Sequence, residues 1–407
     1  MLLSPPPEVV ETKALTVISH LSFEQCYKKS KNISGNPDII MQEGKKMAKL
    51  KVGILTSGGD CPGLNATIRG AAKGCYNLFG EDKVEIIGIH NGYYGLIHND
   101  CEKMSPIDFA GILTRGGTIL KTKRTPYKMM QVVEEDNVDK VSEMKKTYKA
   151  QKLDCLLTLG GNGTHKTANL LSEEGLNVIG LPKTIDNDIW GTDVTFGFHT
   201  AVDIATDVID RIHTTADSHS RVMVVEIMGN KAGWLTLYSG IAGGADIVLI
   251  PEIPYDINKV ADAVKKRAEE GKSFSIIAVA EGAMDKEEAE MKKKIRMKAR
   301  AEQGYNTATL RITKEIEALT GFETRAVVPG HMLRGGSPSA YDRVLATKFG
   351  ARAAELIRDK KFGYTVAKVD GKITENKLTD VAMKTKFVLP DDELVITGKN
   401  IGISFGD

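Results

Sequence analysis

Short apolar runs alternate with stretches of helical period along most of this chain, and nearly every run ends at glycine or at a charged residue. Continuous Val/Ile/Leu-rich runs of this length read as strands buried on both faces. They fall at 52–56, 84–90, 153–159, 177–181, 221–227, 247–250, 275–280 and 325–328. Helical segments are expected at 64–78, 105–114, 137–151 and 198–212, with a last helix at 339–360. The 198–212 segment has apolar residues at 198, 201, 202, 204, 205, 208, 209 and 212, the stripe of an amphipathic helix. The Lys/Glu/Arg/Ala-rich stretch 285–320 reads as one or two exposed helices, and the tail to Asp407 as mixed. Strands alternating with helices predict an α/β architecture, its sheets largely parallel and covered on both faces. In such folds ligands bind beyond the carboxyl ends of the strands.

Length changes this picture by doubling it. At 407 residues the chain exceeds the size at which single cores stop growing, so two domains are expected, 47–190 and 191–407. The C-terminal part is a candidate to cross back to the first domain. Residues 1–46 begin with Ser4-Pro5-Pro6-Pro7 and show no regular apolar period, whereas Met47 opens directly into the first strand. They are expected to be a disordered leader, and they lack the charged and apolar regions of a secretory signal. The net charge of +2 marks no nucleic-acid binder, and no apolar run approaches a membrane span. Five scattered cysteines without a C-x-x-C pattern suit reduced, mostly buried thiols and a cytoplasmic location.

The candidate chemistry sits in the loops after strands. Ser57-Gly58-Gly59-Asp60 follows the first strand, and Gly160-Gly161-Asn162-Gly163-Thr164 follows the run at 153–159. Glycine there lets backbone N–H groups approach a phosphate at a helix N-terminus, although the first loop serves equally as a plain tight turn. Neither a G-x-x-x-x-G-K-[ST] nor a G-x-G-x-x-G motif opens these helices, which argues against a P-loop or a standard dinucleotide site. After 177–181 the loop Lys183-Thr184-Ile185-Asp186-Asn187-Asp188 carries two acids and a base. In an extended loop, alternate residues share a face, so both carboxylates would meet one site. One would accept a proton and the other would help to hold Mg²⁺, a pairing that suggests phosphoryl transfer. A turn in which Asp and Asn bond the local backbone explains the same residues. Arg124, Arg221, Arg325, Arg334 and His331 together would suit a sugar phosphate, since arginine forks bind phosphate bidentately. The eight histidines show no zinc-ligand spacing, and Trp190 and Trp234 read as packing residues.

From about residue 50 to about residue 360 these motifs, in order and spacing, resemble the phosphofructokinase family. They are Gly58-Gly59-Asp60-x-Pro62-Gly63-x-Asn65, Gly161-Asn162-Gly163-Thr164, Pro182-Lys183-Thr184-Ile185-Asp186-Asn187-Asp188, Met228-Gly229, Ala280-Glu281-Gly282 and Gly330-His331-x-x-Arg334-Gly335-Gly336. The resemblance implies two Rossmann-like domains, the first for the phosphoryl donor and the second for the sugar phosphate. It implies transfer of a phosphoryl group to the 1-hydroxyl of fructose 6-phosphate, with Asp186 as general base. Thr184 and Arg124 would assist at the transfer site. Gly59, Arg124, Thr125, Gly161, Asn162, Gly163, Thr164 and Lys183 would hold the donor. Arg221, Met228, Gly229, Asn230, Glu281, Arg325, His331 and Arg334 would bind the sugar phosphate, alongside Thr184 and Asp186. Asn162 and Asp188 would face Mg²⁺. Some of the basic residues would reach in from a neighbouring subunit, so a homotetramer or homodimer is implied.

Three departures bear on that expectation. Asn162 stands where the family usually has an acid, which leaves the metal site one charge weaker. Asn230 stands where bacterial ATP enzymes have arginine. Lys183 stands where those enzymes have glycine, while Gly163 keeps the ATP-type residue at the companion position. ATP is the expected donor, because Gly163 leaves room and Lys183 is flexible; pyrophosphate is the competing reading. Arg69 matches a basic position of the bacterial effector site, whereas Lys73, His213 and Asp246 replace its usual residues. A subunit that senses ligands without turnover is the remaining alternative, favoured by Asn162 and Asn230.

Overall fold

The computed structural model describes residues 48–133 and 138–407. The expected leader at 1–46 lies outside the described residues. Eleven strands form two sheets among the described residues. The first holds Leu50–Thr56 (β1), Val84–Ile89 (β2), Cys101–Met104 (β3), Cys155–Gly160 (β4) and Val178–Pro182 (β5). The second holds Val222–Ile227 (β6), Ile247–Leu249 (β7), Ser275–Ala280 (β8) and Thr324–Val327 (β9). Tyr364–Val369 (β10) and Lys372–Lys377 (β11) form an antiparallel hairpin.

The strand order is β11-β10-β5-β4-β1-β2-β3 in one sheet and β7-β8-β6-β9 in the other. All pairings of the smaller sheet are parallel. The larger sheet is parallel through its centre, and antiparallel pairs close it at both edges. β10 lies parallel to β5, with Tyr364 opposite Ile179, so the late chain completes the early sheet. The central strands read as unbroken apolar runs for a physical reason. Val52, Ile54, Leu157, Leu159, Val224, Val225 and Ile277 are fully buried, with helices on both faces.

The helix Ala340–Arg358 packs directly on Leu64–Phe79. Glycine allows the close approach. A Cβ on Gly350 would lie 2.4 Å from the Thr67 carbonyl oxygen, and one on Gly70 would lie 2.8 Å from that of Thr347. Asp342, fully buried on the later helix, accepts hydrogen bonds from the Gly197 and Thr200 amides at 3.0 and 2.8 Å and from Thr200 Oγ1 at 2.6 Å. It thereby caps the helix Phe198–His219, whose entry Gly197 has left-handed backbone and no side-chain cap of its own.

Several expectations change here. The 285–320 stretch forms three helices, Lys286–Ala289, Lys293–Glu302 and Ala308–Thr320, and the last is no exposed helix, since Ala308, Ile312 and Ile316 are fully buried. Its dense charge is internally paired. Arg311 bridges Asp285 at 2.7 Å and Glu288 at 3.2 Å, and Arg300 forks onto Glu288. The 105–114 segment is one 3₁₀ turn at Pro106–Phe109, and the chain leaves it at Gly111, whose φ of +71° is left-handed. The helix at 339–360 is not the last one, as Leu378–Val381 and Glu393–Asn400 follow. Cys61, Cys75, Cys101 and Cys155 are free, and three of them are buried.

Candidate active site

Three loops after strands of the larger sheet meet at one edge. β1 ends at Thr56, and the chain turns at Gly58, whose φ of +85° only glycine adopts without strain. Ser57 donates its amide to the Leu159 carbonyl at 2.9 Å, and Thr122 Oγ1 donates to the Gly58 carbonyl at 2.7 Å. The 118–125 segment is thus tied to the glycine turn. Thr125 there is half-buried, and the Arg124 side chain stands exposed.

β4 runs into the helix Asn162–Glu173, which starts at Gly161 without a side-chain cap. The helix therefore points uncapped N–H groups and the positive end of its dipole at the site. Thr164 Oγ1 donates to the Ser57 carbonyl at 3.4 Å, and Tyr93 Oη holds the Thr164 carbonyl at 2.9 Å. Gly163 is exposed, and a side chain there would meet open space.

β5 delivers Lys183, Thr184, Asp186 and Asp188, all buried. Lys183 Nζ donates to the Gly59 carbonyl. Burial pulls its ammonium below the ordinary value, and neighbouring Arg334 pushes the same way. Asp186 donates its amide to Thr184 Oγ1 at 3.0 Å, and its Oδ1 is buried without a partner. Burial raises the Asp186 carboxyl, Glu281 adds to the rise, and Arg334 and Lys183 oppose it. Asp188 is pushed up to about 7, first by burial and next by the charge of Asp186.

The loop is not extended. Asn187 has a φ of +51°, so the two acids flank a turn rather than alternate along a strand. The turn has the local bonds of the structural reading, with Asn187 Oδ1 accepting the Thr195 amide at 3.1 Å. The turn leaves the acids near one another, and the charge of Asp186 still raises the Asp188 carboxyl.

The smaller sheet supplies a second wall. Glu281 follows β8 and accepts the Asn230 amide at 2.6 Å. Met228 and Gly229 follow β6, and a Cβ on Gly282 would lie 2.2 Å from the Asn230 carbonyl. Arg334, from the 3₁₀ turn Gly330–Arg334, donates to the Asp60 carbonyl at 3.1 Å. Its guanidinium lies 3.0 Å from where a Cβ on Gly59 would stand. Arg334 thus links the Gly59 turn to the Asp186 loop. His331, on the same turn, is exposed.

Two expected residues are not brought in. Arg221 precedes β6 and Arg325 sits early in β9, at the amino ends of strands whose carboxyl ends carry the site. A six-residue strand spans about 20 Å. Both arginines pair with Glu323, Arg221 at 2.8 Å. Lys386 went unnoticed in the sequence. Its amide donates to the Asp188 carbonyl at 2.8 Å, and its Nζ donates to Asn187 Oδ1 at 3.0 Å. It lies in a tail without periodicity or motif, so no local signal marked it.

The tryptophans also differ from plain packing. Trp190 is 46% exposed beneath Lys384, and Trp234 donates Nε1–H to the Lys386 carbonyl at 3.0 Å. At the positions matching an effector site, Asp246 is bound by Arg267 at 2.8 Å, and His213 bonds the Gly243 carbonyl at 2.7 Å.

Mg²⁺ takes hard oxygen ligands, usually one or two carboxylates plus substrate phosphates. Asn162 Oδ1 and Asp186 Oδ1 are buried without partners, and Asn162 Nδ2 holds Asp188 Oδ2 at 2.8 Å. Among the described residues no cluster of three or more His, Cys, Asp or Glu forms a complete protein cage. A partial oxygen set beside an uncapped helix N-terminus fits such an ion.

The phosphofructokinase family model matches residues 51–357. The chain belongs to the phosphofructokinase family. An "ATP-dependent 6-phosphofructokinase" of Spirochaeta thermophila is 54% identical over 366 residues, covering 89% of this chain and 99% of that one. A "pyrophosphate–fructose 6-phosphate 1-phosphotransferase" of Amycolatopsis mediterranei is 44% identical over 83% of this chain and 96% of its own. Among solved structures, the phosphofructokinase of Saccharomyces cerevisiae superimposes with a TM-score of 0.70 at 29% identity. That match covers 82% of this chain and 45% of the yeast chain. The matched segment contains every site residue named above except Lys386, which lies beyond it.

Proposed function

We propose that this phosphofructokinase transfers the γ-phosphoryl group of ATP to the 1-hydroxyl of fructose 6-phosphate. The observation that carries the reading is the Asp186 carboxylate. It is buried, its carboxyl is raised by that burial, and it has a free Oδ1 at the meeting point of the two walls. A base of that kind accepts the proton of the attacking hydroxyl as the new bond to phosphorus forms. The uncapped helix start at Asn162 and the Gly59 turn hold the donor phosphates, Lys183 and Arg334 neutralise them, and Thr184 fixes the Asp186 backbone. Arg124 and Thr125 flank the donor side, and Met228, Gly229, Asn230, Glu281 and His331 the sugar side. Asn162 and Asp188 would hold Mg²⁺, which neutralises phosphate charge. Most of the rate enhancement then comes from positioning and charge stabilisation.

Open space at Gly163 and the name of the Spirochaeta relative support ATP. Two observations favour pyrophosphate. Lys183 fills the space beside Gly58 and Gly59, and a relative named for pyrophosphate is 44% identical.

The enzyme acts as a homo-oligomer in this reading, because Arg221 and Arg325 lie at the far ends of β6 and β9 and reach a sugar phosphate only in a neighbouring copy. The test combines thermal shift with fructose 6-phosphate, ATP or pyrophosphate and a turnover assay on the same samples. Stabilisation with turnover supports the enzyme. Stabilisation without turnover supports the ligand-sensing alternative and overturns the proposal.

A further inference from the structure

The geometry points to Lys386 as a positioning residue that fixes the catalytic loop by clamping Asn187. The inference rests on the proposed phosphotransfer reading. Lys386 lies on the C-terminal strap 383–389, which follows the helix Leu378–Val381 and carries no strand or helix of its own. An ammonium has three protons to donate. Lys386 Nζ has three acceptors, Asn187 Oδ1 at 3.0 Å and the carbonyls of Thr192 and Asp193 at 2.9 Å each. The backbone of the same residue adds a fourth bond, from its amide to the Asp188 carbonyl at 2.8 Å.

Asn187 occupies left-handed backbone between the two acids, a conformation that side chains other than glycine's adopt at a cost. Its side-chain oxygen is held from two sides, by the Thr195 amide and by Lys386. That orientation decides where Asp186 and Asp188 point. Burial draws the Lys386 ammonium down to about 8, while the nearby charges of Asp193, Asp188 and Asp392 favour its protonated form.

The strap also reaches the sugar wall. The Lys386 carbonyl accepts Trp234 Nε1–H at 3.0 Å. The Val388 amide donates to Glu252 Oε1 at 3.0 Å, and the same carboxylate accepts the Gly233 amide at 2.9 Å. Gly233 and Trp234 follow the Met228–Asn230 loop after Lys231 and Ala232. One strap is therefore hydrogen-bonded to the element that carries the base and to the element that carries the sugar loop. A cavity of about 760 Å³, lined by Asn187, Trp190, Trp234, Tyr238 and Lys386 among others, opens against this junction. With the clamp removed, Asn187 Oδ1 keeps only the Thr195 amide, and its side chain borders the open cavity.

A misplacement of about 1 Å can cost about 100-fold in rate. Lys386→Met is expected to lower kcat by about 10- to 100-fold, with KM for fructose 6-phosphate and for ATP within about threefold of wild type. Asn187→Ala alone should give a loss of similar size, and the double variant should lose no more than the worse single one, since both break one contact. Lys384→Ala, on the same strap but touching only the exposed Trp190 ring, should retain full kcat. Trp234→Phe, which deletes the anchor on the Lys386 carbonyl and shrinks the ring 5.3 Å from Lys386 Nζ, should lower kcat a few-fold at unchanged KM. It decides the matter if Lys386→Met does not fold. Normal kcat in Lys386→Met or Trp234→Phe, fully additive losses in the double variant, or an equal loss in Lys384→Ala would overturn the inference. Absence of turnover in the wild-type chain would instead defeat the proposed function.

Discussion

Replacing Asp186 by Asn separates two roles that the buried carboxylate combines. The side chain keeps its shape, and the backbone bond to Thr184 Oγ1 is untouched, so fructose 6-phosphate should still bind. The amide cannot accept the hydroxyl proton. General-base catalysis is worth about 100- to 10,000-fold, or about 3–5 kcal/mol of barrier, and kcat should fall by that range. Stability should move the other way. Burial, with Glu281 behind it, raises the Asp186 carboxyl in the folded chain. A raised carboxyl contributes stability below its unfolded value, and that contribution is lost as pH rises through the folded value. At pH 8 the wild-type carboxylate is a charged, buried group with an unpartnered oxygen. Asp186→Asn without ligands should therefore melt above wild type at pH 8, and the gap should narrow toward pH 4. Coupled-assay kinetics and melting curves at both pH values measure the two effects. A kcat within tenfold of wild type would remove Asp186 from the base role. A lower melting temperature at pH 8 would refute the electrostatic argument.

Three further outcomes follow from the same geometry. Lys183→Gly should raise kcat/KM for ATP relative to that for pyrophosphate, because it empties the space beside Gly58 and Gly59; an unchanged ratio defeats the steric argument. With Asp188 raised to about 7 and needed as a carboxylate, kcat/KM should fall as pH drops below about 7, and a flat profile from pH 8 to 5.5 contradicts this. Asp186→Asn and Arg325→Ala, each nearly inactive alone, should regain turnover when their subunits are mixed, whereas activity no greater than the sum of the parents argues against Arg325 serving a neighbouring copy.

The buried parallel strands were legible because strands covered on both faces must be apolar throughout, and β8 begins and ends where its apolar run does. The loops after them were legible because glycine and acid cluster only where backbone or ligand requires it. The charge of 285–320 misled, since Arg300, Arg311, Asp285 and Glu288 pair inside the fold, and composition does not distinguish a paired charge from a solvated one. The turn at Asn187 was hidden for a similar reason. Its side chain is held by Thr195 and by Lys386, the latter 199 residues away, and no local pattern encodes so distant a partner. The same distance kept Lys386 from notice.

The central claim is that the chain moves the ATP γ-phosphoryl group to fructose 6-phosphate. Its most direct test is fructose 1,6-bisphosphate formation with Mg²⁺, ATP in one reaction and pyrophosphate in a parallel one. Turnover with ATP and little with pyrophosphate is the predicted result, and would mean that the room at Gly163 outweighs the bulk of Lys183. Turnover with pyrophosphate alone, running readily in both directions, would contradict it.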